Sequence, residues 1–416
     1  MQSHDALLIL RSSLSAPKLL YLLRTSPCFG HPALAAFDTI LRLGLSGITN
    51  SDLTDVAWLQ ASLPVGDGGL GIRSVATLAP SAFLASAAGT WDLQASILHN
   101  CLDSIGQFDV FRASAFNFWL GEYSSIDSEL ADAPVPPTGD NALATAYPVG
   151  EEAKRQRSWD AYAVRIDREL VWKANGDRYN RARLLAASAP HSGDWIHTHP
   201  ISSCGLRLDN EAIRVAVGLR LGLAICEPHP CICGDVCDAR GSHSLSCRRS
   251  AGRIARHQQL NDLVHRVLTK AGYPSIKEPA GLSTKDKKRP DGLTLVPWKK
   301  GRCLTWDVTV GHTMAHLVRS CEAAGGAAEH LAELKTEKYE ELAKSYEFCP
   351  IALETLGPIN ESGTLFFKSL GHFLSVTTGD TRETAFLFQR ISILIQRFNA
   401  ICFRGSFGPV GLPESE

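Results

Sequence analysis

The sequence lacks the features that would place it in a membrane or on a secretory route. Among its 416 residues, no apolar run approaches the roughly 18 residues needed to cross a bilayer. The first ten residues have neither the basic start nor the small-residue cleavage pattern of a secretory signal. We therefore expect a soluble intracellular protein that makes no use of a membrane.

A nucleotide-binding phosphate loop is also missing. The glycine-rich stretch over residues 63–73 lacks the Gly-Lys-Ser/Thr ending of such a loop, so we interpret it as a structural turn. No internal repeat or sustained heptad pattern is present. The composition, 44% hydrophobic and 20% charged, is that of a globular protein with two or three compact domains.

The chain is rich in cysteine, and its distribution is uneven. Five of the 12 cysteines fall between Cys226 and Cys247. In a long chain without a secretory signal, this pattern predicts reduced thiols and a metal site, not a disulfide framework. Three cysteines and a histidine within 17 residues make a tetrahedral zinc set, and Cys237 is a spare thiol that could replace Cys231 or Cys233. The predicted ligands are Cys231, Cys233, His243 and Cys247; a group of buried free cysteines is the alternative.

A strong local charge is hidden by the net charge of −1. Residues 248–302 contain 14 Lys or Arg and four acidic residues, an excess of ten positive charges. An excess of this size suits a phosphate backbone better than a small neutral ligand. Charge alone leaves open the alternative of a solvated basic face.

Apolar periodicity predicts a helical first part and an α/β second part. Residues 1–130 are mostly helical and 131–150, rich in Pro, Gly and small residues, form a linker. The order of elements after residue 250 is typical of an α/β domain with a small central mixed sheet. The expected elements are helices at 151–175, 178–188, 209–222, 251–271, 327–345 and 380–399, and strands at 275–278, 292–296, 303–310 and 348–355.

Two aspartates flank a predicted hairpin turn at residues 297–301. Folding the chain about Lys299 places Asp291 and Asp307 opposite each other, and paired residues in an antiparallel sheet have Cβ atoms roughly 4.5–5.5 Å apart. Two carboxylates at that separation can share Mg²⁺ or Mn²⁺, whose charge offsets their repulsion. The pattern predicts the metal site of an enzyme that cuts phosphodiesters.

Other polar groups could complete this site. Lys335 and Lys338 share one helix face, and either could stabilise the charge on the scissile phosphate. Glu278, on the preceding strand, could add a carboxylate or act as a base. Spacing alone leaves open the alternative that these residues share a region by chance.

A basic helix follows the cysteine cluster. His257 and Asn261 lie one turn apart and could contact DNA or the scissile phosphate, although a solvated helix surface explains them equally well. The cluster and the basic residues after it could also grip single-stranded nucleic acid. The candidate nucleic-acid-binding residues are Arg248, Arg249, Arg253, Arg256, His257, Asn261 and Arg289.

Together these residues resemble the C-terminal part of non-LTR retrotransposon polyproteins that carry a restriction-like endonuclease. That family has a Cys-Cys-His-Cys knuckle, a basic Arg-His-x-x-x-Asn-like helix, a Lys/Arg-Pro-Asp motif, a second acid and a lysine displaced onto the next helix. The resemblance covers about residues 204–405, and more weakly 17–24 and 63–73, which look like the thumb and linker of a reverse transcriptase. The matching positions are Cys231, Cys233, His243 and Cys247; Arg256, His257 and Asn261; Arg289, Pro290 and Asp291; Asp307; and Lys335 or Lys338.

The resemblance implies a PD-(D/E)xK nuclease fold and nicking of a DNA target, whose new 3′ end primes reverse transcription. It implies catalytic Mg²⁺ or Mn²⁺, a structural zinc ion and a nuclear location, with the element's RNA as a further partner left open. The expected regions are a thumb-like remnant at 1–130, a linker at 131–150, helices at 151–225, a zinc knuckle at 226–250 and the endonuclease domain at 251–405.

The sequence departs from the family pattern in three places. No Tyr/Phe-x-Asp-Asp polymerase motif occurs, so we expect no polymerase activity and a truncated element. Asp307 is followed by Val308 and Thr309 where a standard nuclease has a lysine two residues on, so activity depends on a helix lysine. His312 stands near a position where relatives have an acid, and could weaken metal binding or act on a proton.

Two alternatives to a nuclease stay open. The first is a catalytically inactive relic that binds nucleic acid through the knuckle and the basic segment. The second is a zinc-stabilised interaction protein without a nucleic-acid role, which is weaker because it leaves the aspartate hairpin unexplained.

Overall fold

Residues 1–98, 102–124, 148–282 and 289–407 are described by the computed structural model. They form two compact units: a helical unit, Asp5–Gly176, and a mixed unit, Met1–His4 with Asp177–Glu416. The predicted helical region 151–225 is thus divided between the units. Most of the predicted linker, residues 131–147, lies outside the described residues, as do the basic residues at 285–288.

Helices make up the described part of the helical unit. The glycine-rich segment 63–73 is a turn, in which Gln60 Nε2 donates to Gly68 O at 3.0 Å. The carboxylate of buried Asp38 accepts hydrogen bonds from the N–H groups of Val75 and Ala76, which begin the helix that follows this turn. The helices are α1 (Ser3–Ile9), which continues as a π-helical turn (Leu10–Leu14), α2 (Ala16–Thr25), α3 (Pro32–Thr49), α4 (Asp55–Ser62), α5 (Val75–Leu98), α6 (Leu102–Ser124), α7 (Gly150–Ala153) and α8 (Gln156–Ala174).

The helical stretch Ser3–Thr25 is long and apolar enough to cross a membrane by length and composition. Our sequence analysis missed it because polar residues interrupt its apolar positions. A third of its most apolar window, 33%, is buried inside the protein. Core helices of soluble proteins and signal sequences meet the same criterion, so the stretch carries no argument about a membrane.

The first four residues belong to the mixed unit. The backbone N–H of Ser3 donates to Asn210 Oδ1 at 2.8 Å, and that of Leu208 donates to His4 Nδ1 at 3.1 Å. His4 is 2% exposed. These contacts join residues more than 200 positions apart in the sequence.

The mixed unit holds the described strands. Its predicted helix 327–345 is divided at Tyr339, and a helix missed by the sequence analysis, Glu361–Thr378, follows the last strand. The elements are α9 (Arg178–Ser188), α10 (Asn210–Leu221), β1 (His229–Pro230), β2 (Val236–Cys237), α11 (Ser242–Ser246), α12 (Ala251–Lys270), β3 (Ser275–Lys277), β4 (Gly292–Lys299), β5 (Arg302–Gly311), α13 (Leu317–Ser320), α14 (Gly326–Lys338), α15 (Glu340–Ala343), β6 (Glu347–Glu354), α16 (Glu361–Thr378) and α17 (Glu383–Arg404).

A four-stranded mixed sheet forms the centre of this unit, in the order β3-β4-β5-β6. The first two pairings are antiparallel and the β5–β6 pairing is parallel. Alternate residues of β5 and β6, such as Trp306 and Ile351, pack with α12, α16 and α17 in one core. Ala352 points to the opposite face, where it packs with Ala328 and Ala332 of α14. The predicted restriction-endonuclease-like fold stays a prediction.

The β4–β5 turn is shorter than the sequence analysis predicted. Lys299 pairs with Arg302, so the turn is the dipeptide Lys300-Gly301, and both of its residues have positive φ, 50° and 71°. This is the backbone of a two-residue hairpin loop of the primed type. Pro297 and Trp298, predicted in the turn, lie in β4 instead, and Trp298 is buried because it packs into the core.

Candidate functional site

The hairpin brings Asp291 and Asp307 together at its open end. Gly292 pairs with Trp306, so continuing the register by one residue sets the two aspartates opposite each other. The carboxylate of Asp291 reaches across to accept a hydrogen bond from the N–H of Val308 at 2.6 Å. The short turn would shift this register, but irregularities between Leu293 and Lys299 restore it.

The backbone of Asp291 is held by the basic helix α12. Asn261 donates from Nδ2 to Asp291 O at 3.0 Å and accepts from Trp306 Nε1 at 2.8 Å. Asn261 is 5% exposed. It was predicted to contact nucleic acid, but its burial and its two contacts make it a residue that fixes the position of Asp291.

His257, one turn before Asn261, faces the same aspartate. Its Nε2 lies 2.9 Å from Asp291 Oδ2. The hydrogen bond to this carboxylate raises the pKa of His257, while partial burial opposes that effect. The imidazole therefore forms a hydrogen bond with a carboxylate of the candidate site. Its predicted contact with DNA stays a prediction.

Asp307 is the deeper of the two carboxylates, with 3% of its side chain exposed. The ammonium of Lys335 forms an ion pair with its Oδ1. Apart from this ion pair, Oδ1 has no hydrogen-bond partner in the described part of the chain. A buried carboxylate requires a positively charged partner, and Lys335 supplies it here.

Tyr339 connects Lys338 to the same carboxylate. Its hydroxyl lies 2.7 Å from Asp307 Oδ2 and 2.6 Å from Arg289 O, and it accepts from Lys338 Nζ at 2.8 Å. Of the two candidate lysines, Lys335 therefore contacts Asp307 directly. Lys338 is connected to Asp307 by the hydroxyl of Tyr339, which contacts both side chains. The sequence analysis gave Tyr339 no role. Tyr339 is the single residue between α14 and α15, and no local sequence pattern marks that break.

Glu278 lies beside the site through its backbone. Its N–H donates to Asp291 O at 3.0 Å, and its φ of +48° turns the chain away from β3. The Glu278 side chain is exposed. The structure thus places it next to Asp291, and its predicted role as an auxiliary carboxylate or base stays a prediction.

His312 is not an open member of the site. Its Nε2 lies 2.7 Å from Ser242 Oγ and its Nδ1 lies 2.8 Å from Thr355 Oγ1. Burial lowers the pKa of His312 to about 3, with the charge of Arg256 adding to the effect. A neutral imidazole held by two hydroxyls joins α11 to the sheet; this argues against the proton-transfer role considered above.

The candidate nucleic-acid-binding arginines have different environments. Arg256 is 1% exposed and donates to Asn399 Oδ1 at 3.2 Å, so it is a core residue and cannot contact a phosphate backbone. Arg253 donates to Ser246 O at 3.0 Å and supports the end of α11. The exposed members of the set are Arg248, Arg249 and Arg289.

The predicted zinc ligands form a compact group that could bind a metal such as zinc. The ligand atoms of Cys231, Cys233, His243 and Cys247 all lie within 4.8 Å of one another. Cys231 Sγ lies 3.7 Å from Cys247 Sγ. This matches the separation of about 3.8 Å for two sulfurs bound tetrahedrally to zinc at about 2.3 Å.

Local geometry explains why these four residues meet. The β1–β2 hairpin carries Cys231 and Cys233 in its loop, and α11 carries His243 towards them. Gly241, with φ +67°, begins α11, and a Cβ there would lie 2.8 Å from Ile225 Cδ1. Cys237 is not a substitute ligand for this group: it lies instead with Cys226 and His229.

No protein-family model matches the chain, and a comparison with curated proteins found no similar sequence.

Proposed function

We propose that this chain is a metal-dependent DNA endonuclease, the target-nicking part of a non-LTR retrotransposon polyprotein that acts in the nucleus. The convergence of Asp291, Asp307 and Lys335 supports the proposal. Asp291 directly precedes β4, Asp307 lies in β5 and Lys335 lies in α14. The three residues meet at the open end of the hairpin. Two carboxylates and a lysine are the groups that metal-assisted phosphodiester cleavage requires.

Asp291 and Asp307 would hold Mg²⁺ or Mn²⁺. The donor set fits such an ion because both groups are carboxylates and, among the residues that the structure describes, Oδ1 of Asp307 has no hydrogen-bond donor apart from the Lys335 ion pair. When bound, the ion would lower the pKa of a coordinated water and offset charge on the phosphate. Glu278 is the candidate for a third carboxylate.

Lys335 neutralises Asp307 in the absence of substrate. Its side chain is 25% exposed, so the ammonium has access to solvent while its partner is buried. A small rotation would let it contact a phosphate oxygen and stabilise the negative charge that develops there. Tyr339 keeps Asp307 in place during that movement because it contacts the other carboxylate oxygen.

Under this proposal the zinc knuckle has a structural role and takes no part in catalysis. A closed set of three thiolates and one imidazole leaves no coordination position for a substrate, so zinc bound there would stabilise the fold. The adjoining Arg248 and Arg249 are exposed and could contact the phosphate backbone of DNA. RNA of the same element is a second candidate for this surface.

Nicking of supercoiled plasmid by the full chain tests the proposal. The protein is kept saturated with zinc, and Mg²⁺ is added or omitted; a chelator would also remove zinc. We expect Mg²⁺-dependent nicking that falls by about 100-fold or more in Asp307→Asn and in Lys335→Met, because each removes a group that contacts the reacting centre. Lys338→Met is the matched control, with a smaller loss because its ammonium contacts Tyr339 and reaches Asp307 only through that phenol in the described part of the chain. Equal nicking by wild type and Asp307→Asn would contradict the site.

A relic that binds nucleic acid without cutting it is the second candidate. The observation in its favour is that basic side chains already engage both carboxylates: His257 contacts Asp291 and Lys335 contacts Asp307. If these pairs exclude the metal, wild type will bind DNA yet leave the plasmid intact at every Mg²⁺ and Mn²⁺ concentration. That result would favour the relic over the nuclease.

A further inference from the structure

A second group of soft metal ligands lies at the base of the β1–β2 hairpin. The ligand atoms of Cys226, His229 and Cys237 are all within 4.8 Å of one another, and the group shares no residue with the knuckle. His229 and Cys237 are paired residues of the hairpin, so the backbone pairing sets their side chains close together. Cys226 and His229 have the short spacing of zinc ligands.

The backbone fixes Cys226 beside this pair. The N–H groups of Ile225 and Cys226 both donate to Ala239 O, at 2.8 and 3.2 Å. These hydrogen bonds bring the two ends of the segment 226–239, which contains the hairpin, next to each other. Cys237 is fully buried, whereas Cys226 and His229 are half-buried, so the group has a protected inner side and a path from solvent.

The imidazole of His229 is oriented as in a metal ligand. Its Nδ1 lies 3.0 Å from the carbonyl oxygen of Glu227, which can only accept a proton. Nδ1–H therefore donates to that carbonyl, and the lone pair lies on Nε2, the arrangement that second-shell carbonyls impose on histidine ligands. The ring of Phe407, stacked at 4.0 Å, holds this orientation.

Nε2 of His229 faces Ser406, which also contacts the Cys237 thiol. Ser406 Oγ lies 3.0 Å from Nε2 and donates its own proton to Phe403 O at 2.7 Å. Ser406 Oγ therefore lies beside the group of two sulfurs and one nitrogen, where it could serve as a fourth donor. Such a set of soft and borderline donors selects zinc over Mg²⁺ or Ca²⁺.

We propose that Cys226, His229 and Cys237 bind a second zinc ion, with Ser406 Oγ or a water molecule at the fourth position. The zinc ion of the knuckle would bind the loop of the β1–β2 hairpin. The second zinc ion would connect the base of that hairpin to the segment after α17, where Ser406 lies. The backbone contact of Ile232 N with Ser406 O at 3.3 Å crosses the same junction. The proposal does not depend on nuclease activity.

Zinc stoichiometry of the full chain, measured by native mass spectrometry after purification with reductant, tests the second site. We expect two zinc ions per chain in wild type and one in Cys226→Ser and in His229→Gln. Cys231→Ser should also retain one ion, held by the second group. Cys204→Ser, which removes an exposed thiol outside both groups, is the matched control and should retain two.

Cobalt substitution provides an independent measurement. His229→Cys keeps three protein ligands and should still bind two Co²⁺ ions, with thiolate-to-cobalt charge-transfer absorption that rises from five thiolates to six. A gain of signal with two ions still bound distinguishes an exchanged ligand from loss of the site. One zinc ion in wild type, an unchanged count in Cys226→Ser, or a Cys226–Cys237 disulfide in peptide maps of the reductant-purified protein would each overturn the second site. Loss of nicking with two zinc ions bound would contradict only the proposed function.

Discussion

At the scale of single residues, two groups hold the carboxylate of Asp291: the backbone N–H of Val308 and the imidazole of His257. The N–H of Val308 donates to it at every pH, whereas His257 forms a charged pair only when protonated. The pKa of His257 is raised by this hydrogen bond. The imidazolium is therefore both a stabilising partner of Asp291 and a competitor of any cation that binds there.

The His257–Asp291 pair should make stability depend on pH. A raised pKa in the folded state means that the contribution is fully present below the ordinary value of 6.5 and is lost as the pH rises through the raised pKa. We expect the difference in melting temperature between wild type and His257→Gln to be largest below pH 6.5 and to shrink in alkaline buffer. A difference that grows with pH would contradict this pairing.

His265→Gln is the matched control for that measurement. His265 lies on the same helix, and its Nδ1 contacts a hydroxyl, Ser275 Oγ at 2.8 Å, in place of a carboxylate. The control shows how much of any pH trend comes from removing a histidine of α12. The comparison uses melting temperatures and does not require nuclease activity.

The sequence could identify residues that lie close together in space because of their spacing along the chain. Asp291 and Asp307 follow from the arithmetic of a hairpin, and the zinc ligands from their short loop. Lys335 and Lys338 could not be separated because both positions share a helix face. Tyr339 and the core position of Arg256 depend on packing between distant segments, which leaves no local pattern.

At the scale of elements, β4 depends on close contact between a glycine and an aromatic ring. A Cβ on Gly292 would lie 1.9 Å from Trp306 Cζ2, and the indole has little room to move because it is fully buried and donates to Asn261. The glycine therefore sets the distance between β4 and β5 beside the site.

Gly292→Ala should destabilise the mixed unit. Overpacking of this kind costs about 1–3 kcal/mol, and we expect a lower melting temperature together with a change in tryptophan fluorescence. Leu295→Ala, on the same strand and 56% exposed, is the control and should have little effect. If Gly292→Ala melts at the wild-type temperature, the contact does not limit the strand spacing.

The helices show where apolar periodicity gives a wrong boundary. The sequence predicted one helix over 327–345, but α14 ends at Lys338 because Tyr339 turns inward to Asp307 and the chain restarts as α15. No Gly or Pro marks this break. By contrast, α16 ends in a readable signal, Gly379 with φ +75°, which the sequence analysis did not use.

At the scale of the whole molecule, charge segregation is the property that points to a polyanionic partner. Part of the excess of ten positive charges in residues 248–302 is not available, because Arg256 is buried and Arg253 contacts backbone carbonyls. Arg248, Arg249 and Arg289 are exposed. These three give the surface its expected contacts with phosphate.

DNA affinity should therefore fall steeply with salt. Each phosphate contact adds about 0.9 to the magnitude of the slope of log affinity against log salt. The double variant Arg248→Ala with Arg249→Ala loses two such contacts, so the magnitude of its slope should be smaller by about twice that amount. The measurement is fluorescence anisotropy of a short duplex over a series of KCl concentrations. Arg382→Ala removes an exposed arginine that pairs with Asp380 and should leave the slope unchanged; equal slopes in all variants would exclude this surface.

Division of the chain into units was only partly visible in the sequence. A composition change predicted a linker at 131–150, yet the units divide at Gly176, between two helices of ordinary composition. The boundary depends on which core each helix enters, and α8 supplies Trp159 and Ala163 to the core of the helical unit. Periodicity identifies such helices but not their partners.

The contacts of Ser3 and His4 affect when parts of the fold can form during synthesis. Their partners, Asn210 and Leu208, lie 207 and 204 positions further along the chain. On the ribosome, the first residues therefore emerge long before the segment that they pack against, and the whole helical unit is made in between. The helical unit can fold as it emerges, whereas the contacts of Ser3 and His4 within the mixed unit form only after residues 208–210 have been made.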